Sequence, residues 1–127
     1  MADYKKYYTL PVEPSMVYKA LTHEPTIMLW TGAKAKMQAV PDTEFSFWDG
    51  SIIGKNISFE ENKKIIQEWF FGELTQPSIV TIKLHAHKSG TSVELIHTNI
   101  PDDDFEDMKI GWDQMYFGNL EDFYSED

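Results

Sequence analysis

His85 and His87 stand two residues apart. On a strand that spacing puts both imidazoles on one face, where a metal ion could sit. Two ligands are too few for a closed site and that face should be wet, so no metal is expected. His97 could act as a general base only beside a positioned acid and a substrate, and the sequence shows neither. The acidic residues form many carboxylate pairs, none at a motif spacing. There is no Gly-rich phosphate loop, no Gly-x-Ser-x-Gly and no His-Glu-x-x-His. Without Cys, disulfides, thiol catalysis and cysteine zinc sites are excluded. The leading expectation is a binding protein, with an interaction module as the alternative and an enzyme acting on a ligand in a cavity as the third reading, and no cofactor.

What remains is apolar chemistry. The stretch GWDQMYFGNLEDF, Gly111–Phe123, is too apolar for a surface helix and too short to span a membrane. Trp112, Met115 and Tyr116 from this stretch, with Met37, Phe45, Phe47, Trp69 and Phe71, could line a ligand cavity or fill a core. In a cavity, Trp112 and Tyr116 would form the lid and Trp69 the floor. Gln67 and His97 are polar residues at positions expected to face inward. They could hold the polar end of a ligand. They could equally bond to each other, to Tyr116 or to water.

The elements that position these residues follow from periodicity. Tyr4–Leu10 reads as a strand, ended by Pro11 and Pro14. Ser15 can cap a short helix to about Leu21, and Thr26–Trp30 reads as a second, stopped at Gly32. Alternation then marks strands over Lys36–Val40, Glu44–Trp48, Ser51–Phe59, Lys64–Phe71, Ile79–His87 and Thr91–Asn99. Their turns fall at Pro41-Asp42, Asp49-Gly50, Glu61-Asn62, near Gly72 and at Ser89-Gly90. Pro101 opens a long final helix, with Asp102, Asp103 and Asp104 suited to the positive end of its dipole. Phe105, Met108, Trp112, Met115, Tyr116, Leu120 and Phe123 form one wide apolar stripe on it. The expected fold is α+β: a meander of about seven antiparallel strands, two short helices after the first, and a C-terminal helix covering the inner face.

Alternation also assigns faces. Val80, Ile82, Leu84 and Ala86 should point in, as should Val93, Leu95 and His97. A two-residue turn at Asp49-Gly50 pairs Phe47 with Ile52 and puts Ile52 inside. Ile57 and Phe59 should also face in, opposite Gln67 and Ile65. Ile52 and Ile57 differ in parity, so the strand needs a bulge, expected at Gly54. Gly111 and Gly118 are expected to allow close approach of the helix. On the outer face Ile66, Phe70, Ile79 and Ile96 cluster, which points to a two-fold homodimer.

Phe47-Trp48-Asp49-Gly50-x-Ile52-x-Gly54, Lys64-Ile65-Ile66-x-x-Trp69, Val80-Thr81-Ile82-x-Leu84, His97-Thr98-Asn99-Ile100-Pro101 and Gly111-Trp112-x-x-x-Tyr116-Phe117 occur in that order. Together they resemble the activator of heat-shock-protein-90 ATPase, C-terminal-domain-like, family of the START-like, SRPBCC superfamily. The resemblance spans nearly the whole chain. It implies a helix-grip fold, and members of the wider superfamily enclose an apolar cavity for lipids or other hydrophobic molecules. It also implies a chaperone as an alternative partner. The family often has Arg after the strand Trp, where this chain has Phe70. The eukaryotic co-chaperone also carries a separate N-terminal domain, to which nothing here corresponds.

The 127 residues suit a single domain, 1–127, and 42% hydrophobic residues suffice for a core. No run approaches the ~18 apolar residues of a membrane helix. The first residues lack the apolar region of a signal peptide, so cytoplasmic is the default location. Net charge is −10, which would repel a polyanion and excludes nucleic acid as an expected partner. The acidic end, Glu121–Asp127, reads as a solvated tail.

Overall fold

The computed structural model describes residues 1–71 and 76–125. The turn expected near Gly72 and the last two acidic residues lie outside them. Strand β1, Ala2–Leu10, is followed by helices α1, Pro14–Thr22, and α2, Glu24–Thr31. Strands β2, Glu44–Phe47, β3, Ile52–Glu60, β4, Lys64–Trp69, β5, Ser78–His87, and β6, Gly90–Ile100, follow. They form one antiparallel sheet in the order β1-β6-β5-β4-β3-β2. The chain then makes a 3₁₀ turn at Asp102–Asp104 and enters the C-terminal helix. That helix has three parts: α3, Phe105–Ile110, a π-helical segment, Gly111–Tyr116, and α4, Phe117–Ser125. Trp112, Tyr116, Phe117 and Leu120 from it are buried against the inner face of the sheet.

The α+β class and the covering helix are as expected, but the sheet has six strands. Lys36–Val40 is not a strand. It touches the sheet through one bridge, Lys36 to Ser46. Beyond it Asp42 takes a positive φ of 67° and donates its N–H to the Asn56 carbonyl at 2.8 Å. The Asn56 side chain donates to the Gln38 carbonyl at 3.0 Å and to Thr43 Oγ1 at 3.1 Å. Side-chain hydrogen bonds thus satisfy backbone that a ladder would otherwise need.

The short helices also differ in detail. Helix α1 starts at Pro14 with Glu13 at its cap position, and neither Glu13 nor Ser15 caps the backbone. Ser15 instead donates to Glu13 Oε1. The two helices are separated at His23, which is extended, and Pro25 follows just after the break. It sits in the first turn of α2, where its missing N–H costs nothing. Gly32 ends α2 with φ 70°, as read from the sequence.

The hairpin at Asp49-Gly50 pairs Phe47 with Ile52, and both central residues have positive φ. The bulge exists, but at Ile57: the register with β4 shifts between Asn56 and Ser58. Asn56, not Ile57, therefore faces Gln67, and Phe59 returns inward opposite Ile65. Gly54 serves another purpose. A Cβ there would lie 2.6 Å from the Phe45 ring and would overlap the Glu68 carbonyl, so the residue lets an aromatic ring lie flat on the sheet. Ala86, expected inside, is exposed at the far end of β5.

The π-helical segment was not foreseen. Its wide turn brings the Asp113 carbonyl within 2.8 Å of where a Gly118 Cβ would stand. Gly118 thus makes room for the helix's own carbonyl rather than for the sheet, and a Cβ on Gly111 would make only an ordinary 3.8 Å contact with Met108. The extra residue rotates the helix between Trp112 and Phe117. Phe117 becomes fully buried and stacks on Tyr8 at 4.2 Å, while Met115 is 52% exposed.

Candidate functional site

The inner face carries a continuous set of aromatic rings. Trp69 of β4 stacks on Trp112 at 4.7 Å between centroids, and Trp112 lies 4.6 Å from Tyr116. Tyr116 stacks on Phe47 at 5.8 Å and meets Trp30 of α2 at 5.2 Å. Phe45 packs on Phe47 and Trp69. These rings occupy the space between sheet and helix, so the interior is largely filled.

Two polar chains behind the rings fix the two stacked indoles. Trp69 donates its Nε1–H to Gln67 Oε1 at 2.9 Å, and Gln67 Nε2 donates to Asn56 Oδ1 at 3.0 Å. Asn56 also lies 3.4 Å from the Met37 sulfur. Trp112 donates its Nε1–H to His97 Nδ1 at 3.0 Å. His97 Nε2 must then carry the hydrogen and donate to Ser78 Oγ at 2.8 Å, and Ser78 donates to the Trp69 carbonyl. Burial pushes the His97 imidazole down to about 4, so it is neutral here. No acid lies in its hydrogen-bond set, and it is not placed as a general base. Gln67 and His97 do not bond to each other or to Tyr116. Each orients an indole instead.

At one end of the ring set a cleft of about 270 Å³ remains open. Trp69, Trp112, Met115 and Tyr116 line it, joined by Trp48, Ser51, Ile52, Met108 and Gly111. The wall is almost wholly apolar, and no charged side chain is part of it. Met37, Phe45, Phe47, Gln67 and His97 are buried away from this cleft, and Phe71 is half-buried against the His97 ring at 6.1 Å. The sequence reading did not include Trp48, Ser51, Ile52, Met108 or Gly111 among the lining residues. The positive φ of 52° at Trp48, beside the Asp49-Gly50 turn, swings its ring over Tyr116 at 6.2 Å. An aromatic residue flanking a tight hairpin was the available signal.

On the opposite side of the helix Asp113 gathers three groups from β1. Lys6 Nζ lies at 2.8 Å, Tyr8 Oη at 2.6 Å and Tyr4 Oη at 3.5 Å from its Oδ1. The hydrogen bonds from Lys6 and Tyr8 hold its carboxyl below the usual range. This ties the π-helical segment to the sheet edge. His85 pairs with Glu94 at 2.9 Å, and among the described residues no group of three acidic or histidine side chains could hold a metal. No helix is long and apolar enough to cross a membrane, as judged on the described residues.

Known proteins share this architecture. A solved HSP90 activator from Plasmodium falciparum superposes with a TM-score of 0.88 at 26% identity, over 95% of this chain and 94% of that one. An Aha1 protein from Colwellia psychrerythraea, solved in solution as a dimer, has a TM-score of 0.85 at 16% identity, covering 98% of this chain and 96% of that one. Among relatives by sequence, the Hsp90 co-chaperone AHA1 of Saccharomyces cerevisiae is 24% identical over 124 residues, 91% of this chain and 33% of that protein. An uncharacterised protein of Schizosaccharomyces pombe is 26% identical over 125 residues, 97% of this chain and 35% of its own length. The chain thus spans about a third of the length of these curated relatives. The model of the family described as Activator of Hsp90 ATPase homolog 1-like protein matches residues 11–124. Matched from the first short helix through strands β2 to β6 and into the gripping helix, the chain belongs to that family.

Proposed function

We propose that this chain is an interaction domain that acts on an Hsp90-type chaperone ATPase. The observation that carries this reading is the end-to-end likeness to the Plasmodium falciparum activator, whose chain is of the same extent. The filled core agrees with it. Where a lipid-binding relative would need a large enclosed cavity, the aromatic rings here pack on one another. A partner must then be met at the surface. In the test, the Hsp90 of the same organism is assayed for ATP turnover with and without stoichiometric chain. A several-fold rise is expected. Unchanged turnover together with no heat of binding in calorimetry would overturn the reading.

A second reading is favoured by the cleft itself: a small hydrophobic ligand seated against Trp48, Trp69, Trp112 and Tyr116. Rigidly held rings with an apolar wall are what such a ligand needs. The two readings are compatible, since cleft and partner surface need not coincide.

Self-association is proposed through the outer face. Ile66 and Ile96 flank Thr81 in one cross-strand row, and Ile79 lies diagonally from Ile66. These three are half-buried, while Phe70 is 40% exposed and donates its N–H to the carbonyl of Ile53, itself exposed. A hollow of about 390 Å³ lies beside them, lined in part by Phe70, Ile53 and Gly54. Light scattering is expected to give twice the 14.8 kDa chain mass, and Phe70→Asp to return it to that mass. A wild-type protein that stays at the single-chain mass at high concentration would end this proposal.

A further inference from the structure

Every fully buried side-chain nitrogen and oxygen among the described residues has a hydrogen-bond partner. The indole N–H groups of Trp69 and Trp112 are among those satisfied, and both bonds run away from the cleft. Tyr116 is different. Only 3% of it is exposed, and its phenol makes no hydrogen bond among the described residues. Since no fully buried oxygen is left unpaired, the hydroxyl must retain some access to solvent. The opening that Tyr116 lines is the cleft. A phenol this deep normally has a partner, because a lone one forfeits a hydrogen bond.

We infer that the cleft holds a compact, neutral, ring-like apolar compound bearing one carbonyl oxygen, which accepts the Tyr116 hydroxyl hydrogen. The inference rests on the second reading above and names its ligand class. Burial raises the Tyr116 pKa, so the hydroxyl is a donor throughout the physiological range. A carboxylate ligand is disfavoured: no cation lines the cleft and the chain carries a net charge of −10. A volume of about 270 Å³ suits a fused-ring body and is small for a long acyl chain. The other polar groups on the wall sit at the rim. Ser51 is exposed and Trp48 is half-buried, so water can reach both.

The test uses a near-isosteric pair, 2-acetylnaphthalene and 2-isopropylnaphthalene, titrated against the full chain and its Tyr116→Phe variant with tryptophan fluorescence as readout. Both compounds are expected to bind the wild type. The variant should lose about fivefold in affinity for the ketone and keep its affinity for the hydrocarbon. Because the hydroxyl has no protein partner, its removal should leave the unfolding midpoint unchanged. A measurement on the wild type alone adds a check. The carbonyl stretch of the bound ketone should fall in frequency against its value in an alkane solvent. An unmoved stretch, or a variant that weakens both compounds equally or neither, would overturn the role of Tyr116 while leaving the cleft as an apolar site. Failure of both compounds to bind the wild type would overturn the cleft reading and the inference together.

Discussion

Replacing Trp69 by Ala is expected to destabilise the protein by about 3–5 kcal/mol. Only 3% of the residue is exposed, and its ring touches Phe45, His97, Trp112 and Tyr116. Removing the ring deletes those contacts and leaves a hole that the rigid sheet cannot close. It also strands Gln67 Oε1, which accepts the indole N–H. A buried amide oxygen without a donor adds a penalty of about 1–3 kcal/mol unless water enters. The cleft works in the other direction. One side of the ring borders open space, so fewer contacts are lost there than in a closed core. Urea unfolding of wild type and variant measures the balance. A loss below about 2 kcal/mol would show that the ring borders a void on most sides, contrary to the packing described here. Met115→Ala gives the matching control. Met115 lines the same cleft but is 52% exposed, so its removal should cost well under 1 kcal/mol.

That contrast between Trp69 and Met115 marks what a sequence can and cannot place. Both fit an inward apolar pattern. Trp69 is held by strand alternation, which has one solution once Ile65 and Gln67 face in. Met115 depends on helical phase, and the π-helical segment changes that phase by one residue. Nothing in Gly111–Tyr116 announces a wider turn. Gly118, five residues beyond Asp113, is a consequence visible only with the backbone in hand. The bulge in β3 was legible as a necessity, because Ile52 and Phe59 both had to face in across an odd interval. Its position was not, since glycine is common both at bulges and under aromatic rings. Here Gly54 lies under Phe45, and the bulge falls on Ile57. Lys36–Val40 alternates like a strand, yet its place beyond β2 is taken by hydrogen bonds from Asn56, a long-range arrangement that periodicity cannot encode. The polar pair was legible as inward and buried. Its partners, an indole for each, were not: Trp112 reaches His97 from the helix, and Trp69, on the same strand as Gln67, meets it through a side-chain contact that alternation does not encode.

His97 makes the stability of this fold depend on pH in a predictable window. Its unfolded value is near the ordinary 6.5 and its folded value is about 4, through burial. A base whose folded pKa is lowered contributes fully above its unfolded value. Its contribution is lost as pH falls, because the unfolded chain binds a proton that the folded chain refuses. Between pH 6.5 and pH 4 the loss should reach about 3 kcal/mol, with about 2 kcal/mol gone by pH 5. Geometry gives the same sign. Nδ1 accepts from the Trp112 indole, so a proton there would set two N–H groups against each other. Nε2 is already committed to Ser78, and the neighbouring rings are Trp69, Phe71 and Trp112. Across the sheet His97 pairs with Val80 and Tyr4, neither of which is a carboxylate. Carboxylates elsewhere also titrate toward pH 4, so the comparison must be differential. His97→Gln removes the ionisation, and the gap in unfolding free energy between wild type and variant should shrink by about 2 kcal/mol from pH 7.5 to pH 5. Trp112 fluorescence of the folded wild type should stay constant over that interval and shift only as pH approaches about 4, where its N–H partner titrates in the folded chain. A gap that stays constant with pH would mean that His97 is protonated without penalty. The indole would then be held in place by packing rather than by the imidazole.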